Sequence, residues 1–503
     1  GVAQGPARAP LGMPPRPDCP GSRRTRPAPA GAARPGARLR SCDRPWRESW
    51  HDPRAVAAYP PRTMTDDLTS LFREHLEIRL EGIAEDLRKT GYAALVLASG
   101  PQYFYFRDDQ PAPYRANAHF LHFCPWEGPD HLLLIRPGKK PFLATLSPDD
   151  FWYEPQRIGD AFWTEGFRIA ECGTRKRQIS EITKRLPKGR SAGIAESGGV
   201  SETLGLAHNP PALLTRLDWR RAIKTGYEVE CLSEANRVGA EGHIAAEAAF
   251  QDGGSELEVH RAFLAAVGGL EADLPYPTIV GLNEKGAVLH YEGKRPDVRN
   301  GRSLLIDAGA RVRGYASDIT RTFAASSAED RFRSLIAAME GAQQALCEDV
   351  RAGRPWAELH HEAHLALSGV LKDENVINVS AEEAVASGLS RVFFPHGLGH
   401  FLGIQVHDVG GHLADPDGRR APPPKAHPML RSTRTLEPGH VLTVEPGVYF
   451  IDMLLDGWRN GKNRDAINWE AVDALTPYGG VRIEDNVLVT ETGPRNLTRE
   501  HLP

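Results

Sequence analysis

Cysteine is scarce. The chain of 503 residues has six, Cys19, Cys42, Cys124, Cys172, Cys231 and Cys347, scattered and without a CxxC pair. That pattern argues against a disulfide framework or a thiolate metal site and fits a reducing, cytoplasmic compartment. No run of about 18 apolar residues is present, so no membrane-spanning helix is expected. Lysine is missing altogether from residues 1–63, which hold 12 Arg and only 4 acidic residues. The remainder has 49 basic and 61 acidic side chains. This acidic balance disfavours nucleic acid as a partner.

Residues 1–63 are dense in Pro, Ala, Gly and Arg and have no hydrophobic period. Such composition does not bury enough apolar surface to offset the entropy of ordering. It also lacks the apolar core of a secretory signal and the amphipathic pattern of a transit peptide. Two readings fit: a disordered extension, or upstream sequence translated in frame before a start at Met64. The second is favoured, because MTDDLTSLFREHLEIRLEGIAEDLRKTGY begins abruptly as an amphipathic helix, with Thr65 or Asp66 as cap and Gly91 as terminator.

Length alone predicts two or three domains. Buried strands are expected at 93–99, 130–138, 141–147 and 191–196, with helical periodicity near Gln178–Leu186, giving an N-terminal α/β domain over 64–220. A long helix after Gly226 opens a second α/β domain, 221–503. There GRSLLIDAGARVRGYASDITRTFA reads as two strands joined by a turn near Arg313–Gly314. RTLEPGHVLTVEPGVYF and GGVRIEDNVLVT read as strands broken by Gly and Pro, and the stretches 411–428 and 455–466 as surface loops.

PHGLGHFLGIQVHD (395–408) packs three histidines into a short stretch. On a helix His396 and His400 would share a face. Glycine costs about 1 kcal/mol per helix-interior position, so HGLGH is expected as a loop or strand edge, and its partners must lie elsewhere. Four carboxylates are candidates. Asp307 ends the apolar run SLLID, Asp318 sits in ASDITRTF, Glu445 follows VLTV, and Glu484 follows GGVRI. A carboxylate in a strand is expensive to bury unless paired, hydrogen-bonded or metal-bound. Four of them with an imidazole would repel each other without a cation, so a pair of divalent ions is the economical account. Oxygen and imidazole donors suit Mn2+, Co2+ or Zn2+.

Taken singly, each residue has a plainer reading. Asp307 is a turn aspartate, Asp318 pairs with Arg321, Glu484 pairs with Arg482 at the surface, and His290 and His407 are structural. Arg431 lies on a solvated loop, and Asp108–Asp109 form a turn.

Together, IDAGARVRGYASDITRTF, PHGLGHFLGIQVHD, LEPGHVLTVEPGVYF and GGVRIEDNVLVT resemble the ligand motifs of the pita-bread metallopeptidases. Over residues 64–503 the chain is most similar to bacterial Xaa-Pro dipeptidases (prolidases). The resemblance implies a creatinase-like N-terminal α/β domain before a pita-bread catalytic domain. It also implies a cytoplasmic homodimer holding two divalent ions per chain, Mn2+ first with Co2+ or Zn2+ as alternatives, and no nucleic-acid or membrane partner.

By position, Asp307 would chelate one ion, Asp318 and Glu484 would bridge both, and His400 and Glu445 would complete the second. Glu445 would also be the general base of a metal-activated hydroxide. His290 would face the scissile nitrogen, His407 the carbonyl oxygen, and His396 the residue after the cleaved bond. Arg482 would orient Glu484 and the histidines. Arg431, with Arg434 beside it, would read the substrate carboxylate, and Asp109 with Asp108 would meet the free amine from a partner subunit. The implied reaction is hydrolysis of Xaa-Pro dipeptides. The alternatives are an aminopeptidase P acting on longer peptides or a metal-free binding module. An organophosphate side activity occurs on this branch.

Overall fold

The structure, a computed structural model, describes residues 65–502. The reading of residues 1–63 falls outside the described residues. The first helix, Thr65–Thr90, stops just before Gly91. Its buried Leu68, Phe72, Leu76, Ile83 and Leu87 recur at helical spacing and form one stripe. That stripe packs on a mixed six-stranded sheet of β1 (Ala94–Ala98), β2 (Leu132–Ile135), β3 (Phe142–Leu146), β4 (Arg168–Cys172), β5 (Ser191–Ile194) and β6 (Ala207–His208), in the order β4-β3-β2-β1-β5-β6. The runs ALVLA of β1 and LLLI of β2 are buried at every residue, as central strands covered on both faces must be.

The 26-residue helix Gly226–Gln251 leads into the second half, started by a capping box between Thr225 and Glu228. Glu228 also pairs with Arg79 and accepts from the Tyr315 hydroxyl at 3.1 Å, so one buried carboxylate ties the first helix to the second half of the chain. Burial raises its pKa, but Arg79 and His122 outweigh that and hold it well below the ordinary range.

Beyond that helix lie β7 (Ile279–Leu282), β8 (Ser303–Asp307), β9 (Arg311–Val312), β10 (Tyr315–Ala316) and β11 (Thr320–Ala324). Later come β12 (Val441–Val444), β13 (Gly447–Tyr449), β14 (Gly480–Arg482), β15 (Asp485–Val489) and β16 (Pro494–Asn496). β11-β8-β7 and β12-β15-β16 are antiparallel sheets, and a bridge between Thr320 and Glu484 joins the two groups. The helices Gly226–Gln251 and Glu256–Val267 cover β7 and β8. Asp330–Glu348 and Trp356–Asp373 pack into the larger core around β12–β15.

Two expectations are corrected. The 303–324 hairpin does turn at Arg313–Gly314, but each long strand is split: β8 from β9 at 308–310, and β10 from β11 at 317–319. A Cβ on Gly309 would lie 1.9 Å from the Ser317 carbonyl oxygen, so only glycine permits that close crossing. The stretch 455–466 is not simply a loop, because the helix Asp452–Arg459 runs into it. Asp452 in its first turn suits the helix dipole, and Leu455 anchors it in the core at 1 % exposure. The stretch 411–428 is irregular, as expected. Cys124, Cys172, Cys231 and Cys347 are buried and free. Among the described residues no helix is long and apolar enough to cross a membrane.

Candidate metal centre

The interruptions in the strands are where the chemistry collects. Asp307 is the last residue of β8, and Asp318 occupies the gap between β10 and β11. Glu445 lies between β12 and β13, and Glu484 between β14 and β15. A break in a ladder re-aims a side chain that a continuous strand would hold in the pleat. His400 comes from the loop after Pro395. Its amide donates to Thr443 Oγ1 at 3.1 Å, while its carbonyl accepts from the Thr443 amide at 3.0 Å. HGLGH is therefore a loop, bent at His396 and Leu398 and hydrogen-bonded onto β12, within what its glycines predict. A Cβ on Gly399 would lie 2.0 Å from the Thr443 carbonyl oxygen, so the loop reaches β12 because Gly399 has none. Gly399→Ala should lower stability by about 2–3 kcal/mol, measurable by urea unfolding, and should loosen His400.

All five side chains line one cavity of about 320 Å³. The ligand atoms of Asp318, His400 and Glu484 lie within 4.8 Å of one another. His400 Nε2 is 3.4 Å from Asp318 Oδ2 and 3.8 Å from Glu445 Oε1. Burial pushes Glu445 up to about 7 against the opposing pull of His400 and Arg482, and Asp318 and Asp307 add to the rise. Burial and the neighbouring carboxylates hold Glu484 well above the ordinary range, and burial raises Asp307 as well. Asp318 moves the other way: burial raises it, but the hydrogen bond and charge of His400 prevail. Four carboxylates crowded in one cavity, short of cations to ionise against, make a donor set that fits divalent ions and lacks sulfur.

The residues behind them are fully engaged. Arg482 donates to Asp307 Oδ2 at 2.6 Å, to the Tyr449 hydroxyl at 2.8 Å and to Thr320 Oγ1 at 3.1 Å. Thr320 donates to Glu484 Oε2 at 2.6 Å, and Tyr276 donates to Asp307 Oδ1 at 2.8 Å. His396 Nε2 lies 2.8 Å from the Tyr449 hydroxyl and Nδ1 2.8 Å from the Gly397 carbonyl. The carbonyl only accepts, so Nδ1 carries the proton and Nε2 accepts from Tyr449. Burial holds His396 at about 3, a neutral ring.

Residues 230–491 match the model of metallopeptidase family M24, and residues 70–219 match the Xaa-Pro dipeptidase N-terminal domain. The chain belongs to metallopeptidase family M24. Curated relatives include the Xaa-Pro dipeptidase of Xanthomonas oryzae pv. oryzae, 45% identical over 437 residues, covering 86% of this chain and 98% of the relative. Those of Stenotrophomonas maltophilia (44% over 437 residues, 86% and 97%) and Aeromonas hydrophila (42% over 441 residues, 86% and 98%) are similar. Among solved structures, Escherichia coli aminopeptidase P in its low-pH form aligns with TM-score 0.66 and 24% identity, over 85% of this chain and 95% of that one. Pseudomonas aeruginosa aminopeptidase aligns with TM-score 0.66 and 22% identity, over 86% and 95%. At those identities the likeness concerns the fold. The fold is the pita-bread fold of M24 behind an N-terminal α/β domain, and M24 membership implies divalent metal binding.

Around this cluster the other expected residues divide. His290, His396, His407, Arg431 and Arg482 all line the cavity. The His407 ring stands 4.4 Å from that of His400, centroid to centroid, and burial lowers its pKa to about 4. Asp108 and Asp109 do not line the cavity of their own chain, and both are exposed. Arg434 does not reach it either: the side chain is buried, stacks 3.5 Å over Trp219 and pairs with Glu437. Arg321 faces Asp485 at 2.8 Å rather than Asp318. Arg482 pairs with Asp307, not Glu484, and is buried at 4 % exposure.

Sequence reasoning missed Tyr276, Thr320, Tyr449 and Asp408. Asp408 follows His407 directly and is held by Lys224 at 2.9 Å and by Arg221, which fixes the end of the histidine loop against the helix Pro211–Ala222. Tyr449 and Asp408 lie inside motifs that were visible. Tyr276, in DLPYPTIV, carries no signal of its own.

Proposed function

We propose that the chain hydrolyses Xaa-Pro dipeptides at the bond preceding the C-terminal proline. The observation that carries this is one small cavity lined by the five ligand-type side chains together with Arg431 and the apolar Ile279, Leu289 and Met429. It is supported by relatives at 42–45% identity named Xaa-Pro dipeptidase over nearly their whole length.

Asp307, Asp318, His400, Glu445 and Glu484 would hold two divalent ions, with Mn2+ preferred for the carboxylate-rich set. When bound, such ions polarise the scissile carbonyl and make water a nucleophile at neutral pH. Glu445, which lines the cavity 3.8 Å from His400 Nε2, takes the proton of the attacking water. His407, neutral, donates its N–H to the carbonyl oxygen as negative charge grows there. His290 stands on the exposed rim of the cavity and delivers a proton to the departing proline nitrogen, which has no hydrogen of its own in the imide. His396 spends both nitrogens on Gly397 and Tyr449, which leaves its ring face for the proline. Arg482 holds Asp307 directly and reaches Glu484 through Thr320, so it is a positioning residue.

A guanidinium binds a carboxylate by two parallel hydrogen bonds, and Arg431 in the cavity wall suits a substrate whose own carboxylate ends there. Replacing Arg431 with Gln should raise KM for a dipeptide by about 10–100-fold, a loss of roughly 1.5–3 kcal/mol. It should change kcat little and leave a C-terminally amidated analogue unaffected. Equal losses on both substrates would remove Arg431 from carboxylate recognition. The reading itself is tested by comparing an Xaa-Pro dipeptide with a tripeptide bearing proline second. Preference for the tripeptide would favour an aminopeptidase P.

The chain is further read as a cytoplasmic homodimer. Tyr103, Phe104, Tyr105 and Phe106 are exposed beside Asp108 and Asp109, an apolar face that a second copy would cover while bringing Asp109 to its partner's cavity. A monomeric mass in sedimentation, or an unchanged KM in Asp109→Asn, would remove that part.

A further inference from the structure

A second group of imidazoles lies outside the carboxylate cavity. In HHEAH (360–364), unlike HGLGH, no glycine interrupts the spacing. His360 and His364 sit one turn apart on the helix Trp356–Asp373 and share a face. His427, from the irregular stretch 411–428, turns towards them. One ring nitrogen of each lies within 4.8 Å of the others, and the ring centroids are 4.4–4.7 Å apart.

His360 and His364 are each 1 % exposed, while His427 is half-buried and opens the group to solvent. Among the described residues, Nδ1 of His360 and both ring nitrogens of His364 have no hydrogen-bond partner. A buried polar atom left unpaired costs about 1–3 kcal/mol, and unpaired nitrogens on His360 and His364, gathered with the His427 ring, call for an occupant. Burial and the repulsion of the neighbouring rings keep His360 near 2, and burial with His427 and Arg391 keeps His364 near 3. The rings are thus neutral at pH 7 and their lone pairs are free to bind.

We propose that His360, His364 and His427 form a separate site for one transition-metal ion of the zinc class, with solvent completing the coordination beside His427. Three neutral imidazoles without a carboxylate select Zn2+, Cu2+ or Ni2+ over the Mn2+ that suits the cavity. The ion would also brace Phe394, whose ring lies 4.8 Å from that of His364 and 4.9 Å from that of His396.

The test uses protein whose cavity is filled with Mn2+ and to which Zn2+ is then added. Diffraction data collected on either side of the zinc edge should place zinc about 2.0–2.1 Å from all three rings. His427→Ala, a change on an irregular surface stretch, should weaken zinc uptake there by at least about 100-fold while leaving the cavity ions and dipeptide hydrolysis in place. A water molecule without zinc signal at the three rings would overturn the proposal. So would occupancy only at millimolar zinc, an adventitious ion only, or undiminished uptake in His427→Ala.

Discussion

Glu445→Gln should lower kcat on an Xaa-Pro dipeptide by about 10³-fold, within the range that a positioned proton acceptor supplies, with KM changed far less. The amide keeps the shape of the side chain and one oxygen donor but has no basic site. Two roles are separable. If Glu445 were a ligand alone, raising the metal concentration would restore the rate. If it also takes the proton, the deficit persists at saturating metal. Rescue by excess metal would remove the proton-transfer role.

Stripping the divalent ions should abolish hydrolysis, and the stability difference between loaded and stripped protein should widen as pH rises from about 5.5 to 8. Glu445 has its folded pKa raised from 4.5 to about 7, with burial the leading cause, and Glu484 and Asp307 share the direction. A carboxyl raised in the folded state adds stability below its unfolded value and loses it as pH climbs through the folded one. His400, also raised, loses its contribution in the same direction. Asp318, held low by His400, opposes them only in acid. The stripped chain is thus penalised as these groups lose their protons, whereas a bound cation replaces the proton and removes the penalty. Buried neutral histidines elsewhere, such as His131 and His243, titrate in both forms and cancel in the difference. Thermal denaturation with and without metal across that range reads the effect. A difference independent of pH would mean that the carboxylates ionise without help from a cation.

Much of this site was legible because burial makes polarity conspicuous. SLLID and VLTVE each end an apolar run on a carboxylate, and two glycines in HGLGH rule out a helix by energy alone. What a linear reading missed were the neighbours. Arg321 lies three residues from Asp318, yet β11 turns its side chain towards Asp485 on the adjoining strand, because alternate residues of a strand face opposite sides. Arg482 pairs with Asp307 rather than the nearby Glu484, a contact made 175 positions away in the chain. Thr320 and Tyr449 are ordinary strand residues until the sheets place them under Arg482. The helix Asp452–Arg459 was passed over because Gly457 and nearby charges resemble a loop, although Leu454, Leu455 and Trp458 fall at helical spacing and pack on the core. The strand breaks at 308–310 and 317–319 depend on a close crossing of two backbones, which leaves no trace beyond Gly309.

The most direct test is an anomalous-scattering map of crystals loaded with Mn2+. Two manganese peaks in the cavity, one shared by Asp307, the other by His400 and Glu445, with Asp318 and Glu484 touching both, are the expected result. A cavity without manganese in protein that cleaves the dipeptide would contradict it.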